Sequence, residues 1–188
     1  MKPYAQSPLL VTFCGADIGP WRIVSATTVC GEPLSPAPRL WIGEGRDTPA
    51  LPDARWSLRA TTSNARYTAA SELSAMQSKQ EGLGRPGATR AALIPISKSP
   101  TWWGMAQDAR RAIFEETSHH IAIGLDYLPA VARRLHHGRD LGEPFDFLTW
   151  FEYAPEAEPA FDEMVARLRA TPEWTYVTRE IDIRLARD

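Results

Sequence analysis

The chain has 188 residues, of which 44% are hydrophobic and 23% are charged, a composition typical of folded proteins and not of disordered or fibrous ones. Its 21 Lys and Arg residues nearly balance its 23 Asp and Glu residues, and neither half carries the strongly basic field that nucleic-acid binding needs. No apolar run reaches the roughly 18 residues that span a bilayer. We therefore expect neither a nucleic-acid nor a membrane partner.

The apolar stretch at residues 9–14 is short, follows Pro8 and lacks a small-residue cleavage site. It predicts a strand and not a signal peptide, so we expect a cytoplasmic protein, with the periplasm as the alternative. Cys14 and Cys30 lie in separate predicted strands without the spacing of metal ligands. In a reducing compartment, such residues are expected to be buried thiols.

The first part of the chain is predicted to consist mainly of strands. Short strands are expected at residues 9–14, 21–29, 39–42 and 56–62, because clusters of Gly, Pro and Asp separate them. The Ala-, Ser- and Glu-rich stretch 65–80 predicts a helix, and the apolar stretch 91–97 predicts a further strand.

The second part of the chain begins with a helical pattern after Pro100. Helices are expected at 107–117, 119–137 and 157–170, and strands at 146–153 and 175–185. In the last strand, the odd-numbered residues Val177, Ile181, Ile183 and Leu185 are predicted to point inward. This order of elements predicts an α+β fold that is compatible with two ferredoxin-like halves.

All four histidines occur as two adjacent pairs, His119-His120 and His136-His137, one at each end of the helix predicted at 119–137. Adjacent residues on a helix point about 100° apart, so neither pair can hold one metal ion as an i, i+4 pair does. With Ile121 at the centre of the apolar face, His120 lies about 100° away and His119 about 160° away. We therefore expect His120 to face the interior and His119 to be exposed.

The surroundings of His120 in the sequence suit a flat, anionic macrocycle. Trp102 and Trp103 supply large apolar surfaces, and Lys98, one of only three lysines, supplies a long cation close to them. Haem iron binds a histidine and haem propionates bind cations, so haem is a candidate ligand. Packing in the core or at an interface is the other explanation for the two tryptophans, and by composition alone it is the favoured one.

Arg133 lies on the polar side of the predicted helix, where a solvated position is the usual interpretation. However, it follows Pro129, and a proline inside a helical pattern bends or breaks the helix. If Arg133 points inward, its permanently charged guanidinium could hold a small oxyanion over a metal.

An ordered set of motifs carries a resemblance to a known family. The set includes the segment from Lys98 to Trp103, Ser118-His119-His120, the segment from Arg133 to His137, and the segment from Asp146 to Glu152. From about residue 65 to 185 the chain resembles the chlorite dismutase family of haem b enzymes, in particular its compact, dimeric branch.

The resemblance implies a fold, a division of the chain and an oligomeric state. The fold is ferredoxin-like, with two βαβ-type halves whose antiparallel sheets form a barrel-like core of the dimeric α+β barrel type. Residues 1–97 would form a trimmed N-terminal half and residues 98–188 the haem-binding half of one compact unit. A homodimer is expected.

The resemblance also implies a role for each candidate residue. His120 would be the proximal iron ligand, and Arg133 would be the distal arginine that acts in catalysis. Glu173 would accept the other ring proton of the histidine, and Lys98 would belong to the same network. Trp102 would lie beside the haem b cofactor, and Trp103 nearer the subunit interface.

The activity implied is the conversion of chlorite to chloride and dioxygen. Chlorite would transfer an oxygen atom to ferric iron, and hypochlorite would rebound on the resulting ferryl species, in a detoxifying or other physiological role. One alternative is a coproheme decarboxylase of the same superfamily, although those enzymes typically lack the distal arginine. The others are a non-enzymatic haem-binding or haem-sensing protein, or a haem-free barrel with an apolar pocket.

Overall fold

The computed structural model describes residues 8–46, 48, 51–63 and 68–187. In these residues eight antiparallel strands close into a barrel: β1 (Leu10–Ala16), β2 (Trp21–Cys30), β3 (Arg39–Glu44), β4 (Trp56–Thr62), β5 (Arg90–Lys98), β6 (Val131–His137), β7 (Phe147–Tyr153) and β8 (Val177–Arg187). Their order around the barrel is β1, β3, β2, β8, β5, β7, β6, β4. Strands β1–β4 thus form one continuous part of the wall and β5–β8 the other. The predicted ferredoxin-like α+β fold with a barrel-like core is confirmed.

The helices are α1 (Ala70–Lys79), α2 (Pro100–Gly104), α3 (Gln107–Arg111), a π-helix (Ala112–Thr117), α4 (His120–Asp126) and α5 (Glu158–Arg169). Short 3-10 helices occupy Arg139–Leu141, Pro155–Ala157 and Pro172–Tyr176. Helix α5 buries Phe161, Met164, Val165 and Leu168. Their i, i+3, i+4, i+7 spacing gives the helix one apolar face, which packs on the outside of the barrel.

Alternation along the strands divides the apolar residues into two clusters. Within each strand, the side chains on one face fill the barrel interior, among them Leu93, Leu148, Trp150, Ile181, Ile183 and Leu185. The side chains on the other face point outward against α5, among them Ile94, Ile96, Phe147, Phe151 and Tyr153. This is the pattern expected when successive side chains of a strand point to opposite faces. The inward direction predicted for Ile181, Ile183 and Leu185 is confirmed. The inward direction predicted for Val177 is wrong: Val177 packs against the outer cluster, because the pairing of β8 with β5 shifts register between Arg179 and Val177.

The single helix predicted at residues 119–137 is wrong. Helix α4 ends at Asp126, and residues from Val131 onward form strand β6, which pairs with β7 along its whole length. Pro129 cannot continue a helix because it lacks a backbone N–H and its ring clashes with the preceding turn. Strand pairing then overrides the helical periodicity of the residues that follow. Consequently, His136 and His137 lie on a strand of the barrel wall.

Strand β6 places His136 in the barrel interior, where its side chain is fully buried. Its Nδ1 lies 2.9 Å from the Leu148 carbonyl oxygen, and its Nε2 accepts a hydrogen bond of 3.0 Å from Arg134. Burial lowers the pKa of His136 to about 4, although the bond to Leu148 opposes this shift. The native protein therefore holds this imidazole in its neutral form at physiological pH.

We expect His136 to make the free energy of unfolding depend on pH below neutrality. In the unfolded chain its pKa is about 6.5, so between pH 6.5 and 4 the unfolded state binds more protons and stability falls as the pH falls. The full loss amounts to about 3 kcal/mol. Urea unfolding of the haem-free protein at pH 7 and pH 5 measures about 2 kcal/mol of this loss, and His136→Gln should show a smaller difference between the two pH values. Equal differences in wild type and variant would contradict the assignment.

Candidate functional site

A cavity of about 620 Å³ lies outside the barrel, between strands β5–β7 and the helices that cover them. The strand residues that line it, such as Ile96, Leu135 and Phe151, lie on the outer face of the barrel wall and not on the face that fills the interior. Helices α1 to α5, the π-helix and the 3-10 helices Arg139–Leu141 and Pro172–Tyr176 contribute to the rest of its wall. The surface of the chamber is mainly apolar, although about half of the residues that line it have polar or charged side chains.

His120 is the first residue of α4, and its imidazole lines the cavity. The Nδ1 atom lies 2.7 Å from Oε2 of Glu173, whose side chain is only 2% exposed. The other carboxylate oxygen of Glu173 pairs with Nζ of Lys98, which is 3% exposed. Among the residues that the structure describes, no hydrogen-bond partner is recorded for Nε2 of His120. The ring nitrogen remote from Glu173 is thus available to a ligand.

The charges in this group are fixed by their mutual contacts. Burial alone would raise the pKa of the Glu173 carboxyl, but attraction and hydrogen bonds from His120 and Lys98 outweigh it and hold the pKa at about 2. Burial lowers the pKa of Lys98, and the attraction of Glu173 opposes that shift. Glu173 is therefore a carboxylate at neutral pH, and Nδ1–H of His120 can donate to it.

The chain directly before His120 holds the imidazole in place. His119 has a left-handed backbone with φ of 53°, so the π-helix ends and α4 starts in a new direction. Glu115 accepts hydrogen bonds from the backbone N–H groups of Ile121 at 2.6 Å and of Ala122 at 3.2 Å. These are N–H groups that the start of a helix otherwise leaves without partners. The exposure predicted for His119 is confirmed, although this residue lies outside α4, so its direction follows from its left-handed backbone and not from a helical-wheel angle.

Trp102 and Trp103 lie on α2 and line different parts of the cavity. Trp102 is buried, and Nζ of Lys98 lies 3.5 Å from the centroid of its ring. Trp103 is half-buried; its indole donates a 2.9 Å hydrogen bond to Asp146 and stacks on Phe147 at 5.8 Å. Trp102 thus shields the Lys98–Glu173 pair, whereas Trp103 forms part of the outer wall.

Arg133 lies on β6 and lines the same cavity. Its backbone exchanges hydrogen bonds with the Gln80 side chain, but no hydrogen bond of its guanidinium is recorded among the described residues. Burial lowers the pKa of Arg133 to about 10, and the attraction of Glu115 opposes the shift. The side chain is therefore a cation at neutral pH with its donors free for an anion.

Gly124 makes room for the guanidinium. A β-carbon at this position would overlap Nη1 and Cζ of Arg133. A glycine inside a helix costs about 1 kcal/mol relative to alanine, so its presence in α4 calls for a steric reason. The close approach of Arg133 supplies that reason.

The structure brings together all six residues singled out in the sequence: Lys98, Trp102, Trp103, His120, Arg133 and Glu173 line one cavity. The sequence analysis missed Glu115, Gly124 and Asp146. An isolated glycine between apolar helical residues was a usable signal for Gly124. The contacts of Glu115 and Asp146 depend on the tertiary fold and left no local signal.

Among the described residues, no helix is both long and apolar enough to cross a membrane.

Comparison with known proteins gives a consistent result. Residues 49–188 match the family model described as chlorite dismutase. The crystal structure of a dimeric chlorite dismutase from Nitrobacter winogradskyi is 58% identical in sequence. The match covers 95% of this chain and 99% of that one, with a TM-score of 0.87.

Two further relatives are more distant. A chlorite dismutase from Candidatus Nitrospira defluvii, in complex with imidazole, is 27% identical over 71% of this chain and 56% of that one, with a TM-score of 0.55. A curated chlorite dismutase from Ideonella dechloratans is 32% identical over 89 residues. That match covers 47% of this chain and spans only 29% of the relative's length.

Proposed function

This chain belongs to the chlorite dismutase family, and on that premise we propose that it binds haem b and converts chlorite to chloride and dioxygen. One observation carries the proposal. A single cavity contains an imidazole whose Nδ1 is held by a buried carboxylate, and a guanidinium without a recorded hydrogen-bond partner among the described residues. The first is a ligand for a metal, and the second is a binding group for an oxyanion.

The residues of the cavity fit haem. Its volume of about 620 Å³ falls in the range of cofactor pockets, and its wall contains flat aromatic side chains. His120 offers one nitrogen, which is what haem iron takes from a protein on one face. Arg110, whose Nε has no hydrogen-bond partner among the described residues, also lines the cavity and can pair with a propionate. Arg111 and Arg139 line it too, but they are paired with Glu72 and Asp146.

When bound, haem supplies the redox-active iron at which oxygen atoms are transferred. The Nε2 atom of His120 would hold the iron, while its Nδ1–H donates to Glu173 and makes the imidazole a stronger electron donor. Lys98 keeps Glu173 ionised and in place. The proximal network of His120, Glu173 and Lys98 thus favours oxygen transfer.

Arg133 would hold the anions of the reaction. Chlorite and hypochlorite are small oxyanions, and a guanidinium offers them several N–H donors in a rigid, permanently charged plane. The apolar wall excludes water, so the attraction is stronger than it would be in solution. We infer that Arg133 draws chlorite into the cavity and keeps hypochlorite there until its oxygen atom joins the oxygen atom that chlorite has already transferred, which releases chloride and dioxygen.

The remaining expectations are part of the same proposal. We propose a homodimer, since the Nitrobacter relative is described as dimeric. We propose that residues 98–188 form the haem-binding half, because they contain His120, Arg133 and Glu173, with residues 1–97 as the smaller half. A cytoplasmic location and a detoxifying role stay predictions.

The test is an oxygen-electrode measurement on the purified, haem-loaded protein. We expect a strong Soret absorption band and immediate evolution of dioxygen when chlorite is added. A Soret band without dioxygen would overturn the enzymatic assignment in favour of haem binding or sensing. Failure to take up haem at all would overturn the whole proposal.

A further inference from the structure

The plane of the His120 imidazole is restrained by a second contact besides its bond to Glu173. Trp174 directly follows Glu173 in the chain. Its indole stacks on the His120 imidazole at an angle of 20°, with 6.1 Å between the ring centroids. Phe114 lies against the same ring at 4.6 Å and 33°. The hydrogen bond fixes the position of Nδ1, whereas the aromatic neighbours restrict rotation of the ring.

Trp174 is itself fixed by a buried acid. Its indole N–H, which can only donate, makes a 2.8 Å hydrogen bond to Oε2 of Glu180. Glu180 lies on β8, where it pairs with Ile96 of β5 and Cys30 of β2, and it is 0% exposed. The acceptor of the indole is therefore part of the rigid barrel wall.

The two oxygens of Glu180 have different partners. Oε1 accepts hydrogen bonds from Nε and Nη2 of Arg169, at 2.8 and 2.6 Å, which compensate the buried negative charge. Arg169 also contacts Asp182 at 2.9 Å. Because the guanidinium occupies only Oε1, Oε2 is left for Trp174.

We propose that Glu180 is a positioning residue, which fixes the plane of the His120 imidazole through the Trp174 indole. Its effect on a bound haem rests on the proposed function, but its effect on the imidazole does not. Haem leaves a site faster when the histidine that binds it is free to rotate, because the ring then spends less time in the orientation that binding requires. Neither Glu180 nor Trp174 supplies an atom to the metal in this scheme.

The test compares Glu180→Gln and Trp174→Phe with a matched control, Asp182→Asn. Trp174→Phe removes the indole donor. Glu180→Gln leaves one acceptor oxygen for two groups of donors, and because the charged guanidinium of Arg169 is the stronger donor, the amide N–H2 is expected to face Trp174. The control removes a carboxylate from the same arginine and leaves Trp174 untouched. In the haem-free protein, nuclear Overhauser contacts between the His120 ring and residue 174 should weaken in the first two variants and persist in the control.

In the haem-loaded protein, the rate of haem transfer to excess haem-free myoglobin is the second measurement. We expect release about tenfold faster in Glu180→Gln and in Trp174→Phe, and unchanged in Asp182→Asn. The double variant should release haem no faster than either single variant, because both act on one contact.

The proposal is overturned if Trp174→Phe releases haem at the wild-type rate, or if Asp182→Asn matches Glu180→Gln. Should Glu180→Gln fail to fold, Trp174→Phe, which deletes the N–H but keeps an aromatic ring, decides the question. If the wild-type protein takes up no haem, the proposed function fails. The Overhauser contacts then still test the positioning role by themselves.

Discussion

Replacement of His120 by alanine is expected to weaken haem binding by more than about 100-fold, so that the purified variant carries little haem. His120 is the residue that presents a ring nitrogen to the cavity with its other nitrogen bound by Glu173. His137 also lines the cavity, but it packs edge-on against Trp103 and Phe147, and its Nε2 lies 3.3 Å from Asp140. It is not placed to substitute for the missing ligand.

The measurement is titration of haem-free protein with haem, followed by the Soret band. His119→Ala is the matched control, since His119 is the exposed neighbour of His120 and should leave affinity unchanged. Added imidazole should restore a histidine-type spectrum in His120→Gly, because the deletion leaves a space of that shape. Full haem retention by His120→Ala would remove this residue from the metal site.

Replacement of Arg133 by alanine is expected to weaken the binding of chlorite by about 10- to 100-fold and to shorten the life of the enzyme. A hydrogen bond to a charged group contributes about 1.5–3 kcal/mol, and each 1.4 kcal/mol is tenfold in affinity. Without the guanidinium, hypochlorite should escape from the cavity and bleach the haem. Arg133→Lys keeps the charge but loses the planar fork, so its effect should be intermediate.

Two measurements check this expectation: KM for chlorite, and the number of turnovers before inactivation in the presence of a hypochlorite trap. Arg134→Ala is the matched control. Arg134 is the next residue on β6, its side chain points to the other face of the strand, and it pairs with Glu44 and His136. An unchanged turnover number in Arg133→Ala would exclude retention of hypochlorite by this residue.

Local periodicity was sufficient to predict part of the site. The two-residue period of β8 placed Ile181, Ile183 and Leu185 in the barrel, and this argument uses only the geometry of one element. The exposure of His119 was also predicted correctly, but from a helical wheel that does not apply to it, because His119 lies outside α4 and has a left-handed backbone.

The rest of the site depends on contacts between distant parts of the chain. Lys98 and Glu173 are 75 residues apart, and their pairing follows from the way β5 and the 3-10 helix at Pro172–Tyr176 meet. The helical pattern after Pro129 concealed strand β6, so the direction of Arg133 could not be derived from a helical wheel. Only the resemblance to a family indicated that Lys98 pairs with Glu173 and that Arg133 points into the site.

If Arg133 binds the anions as proposed, its guanidinium sets folding and activity against each other at one position. A cation drawn into an apolar chamber loses hydration, and no hydrogen bond recorded among the described residues replaces it. An aliphatic side chain there would favour the folded chain but could not attract an oxyanion. Under the proposed function, selection for thermal stability alone would therefore be expected to replace Arg133 and so remove the group that binds the anion.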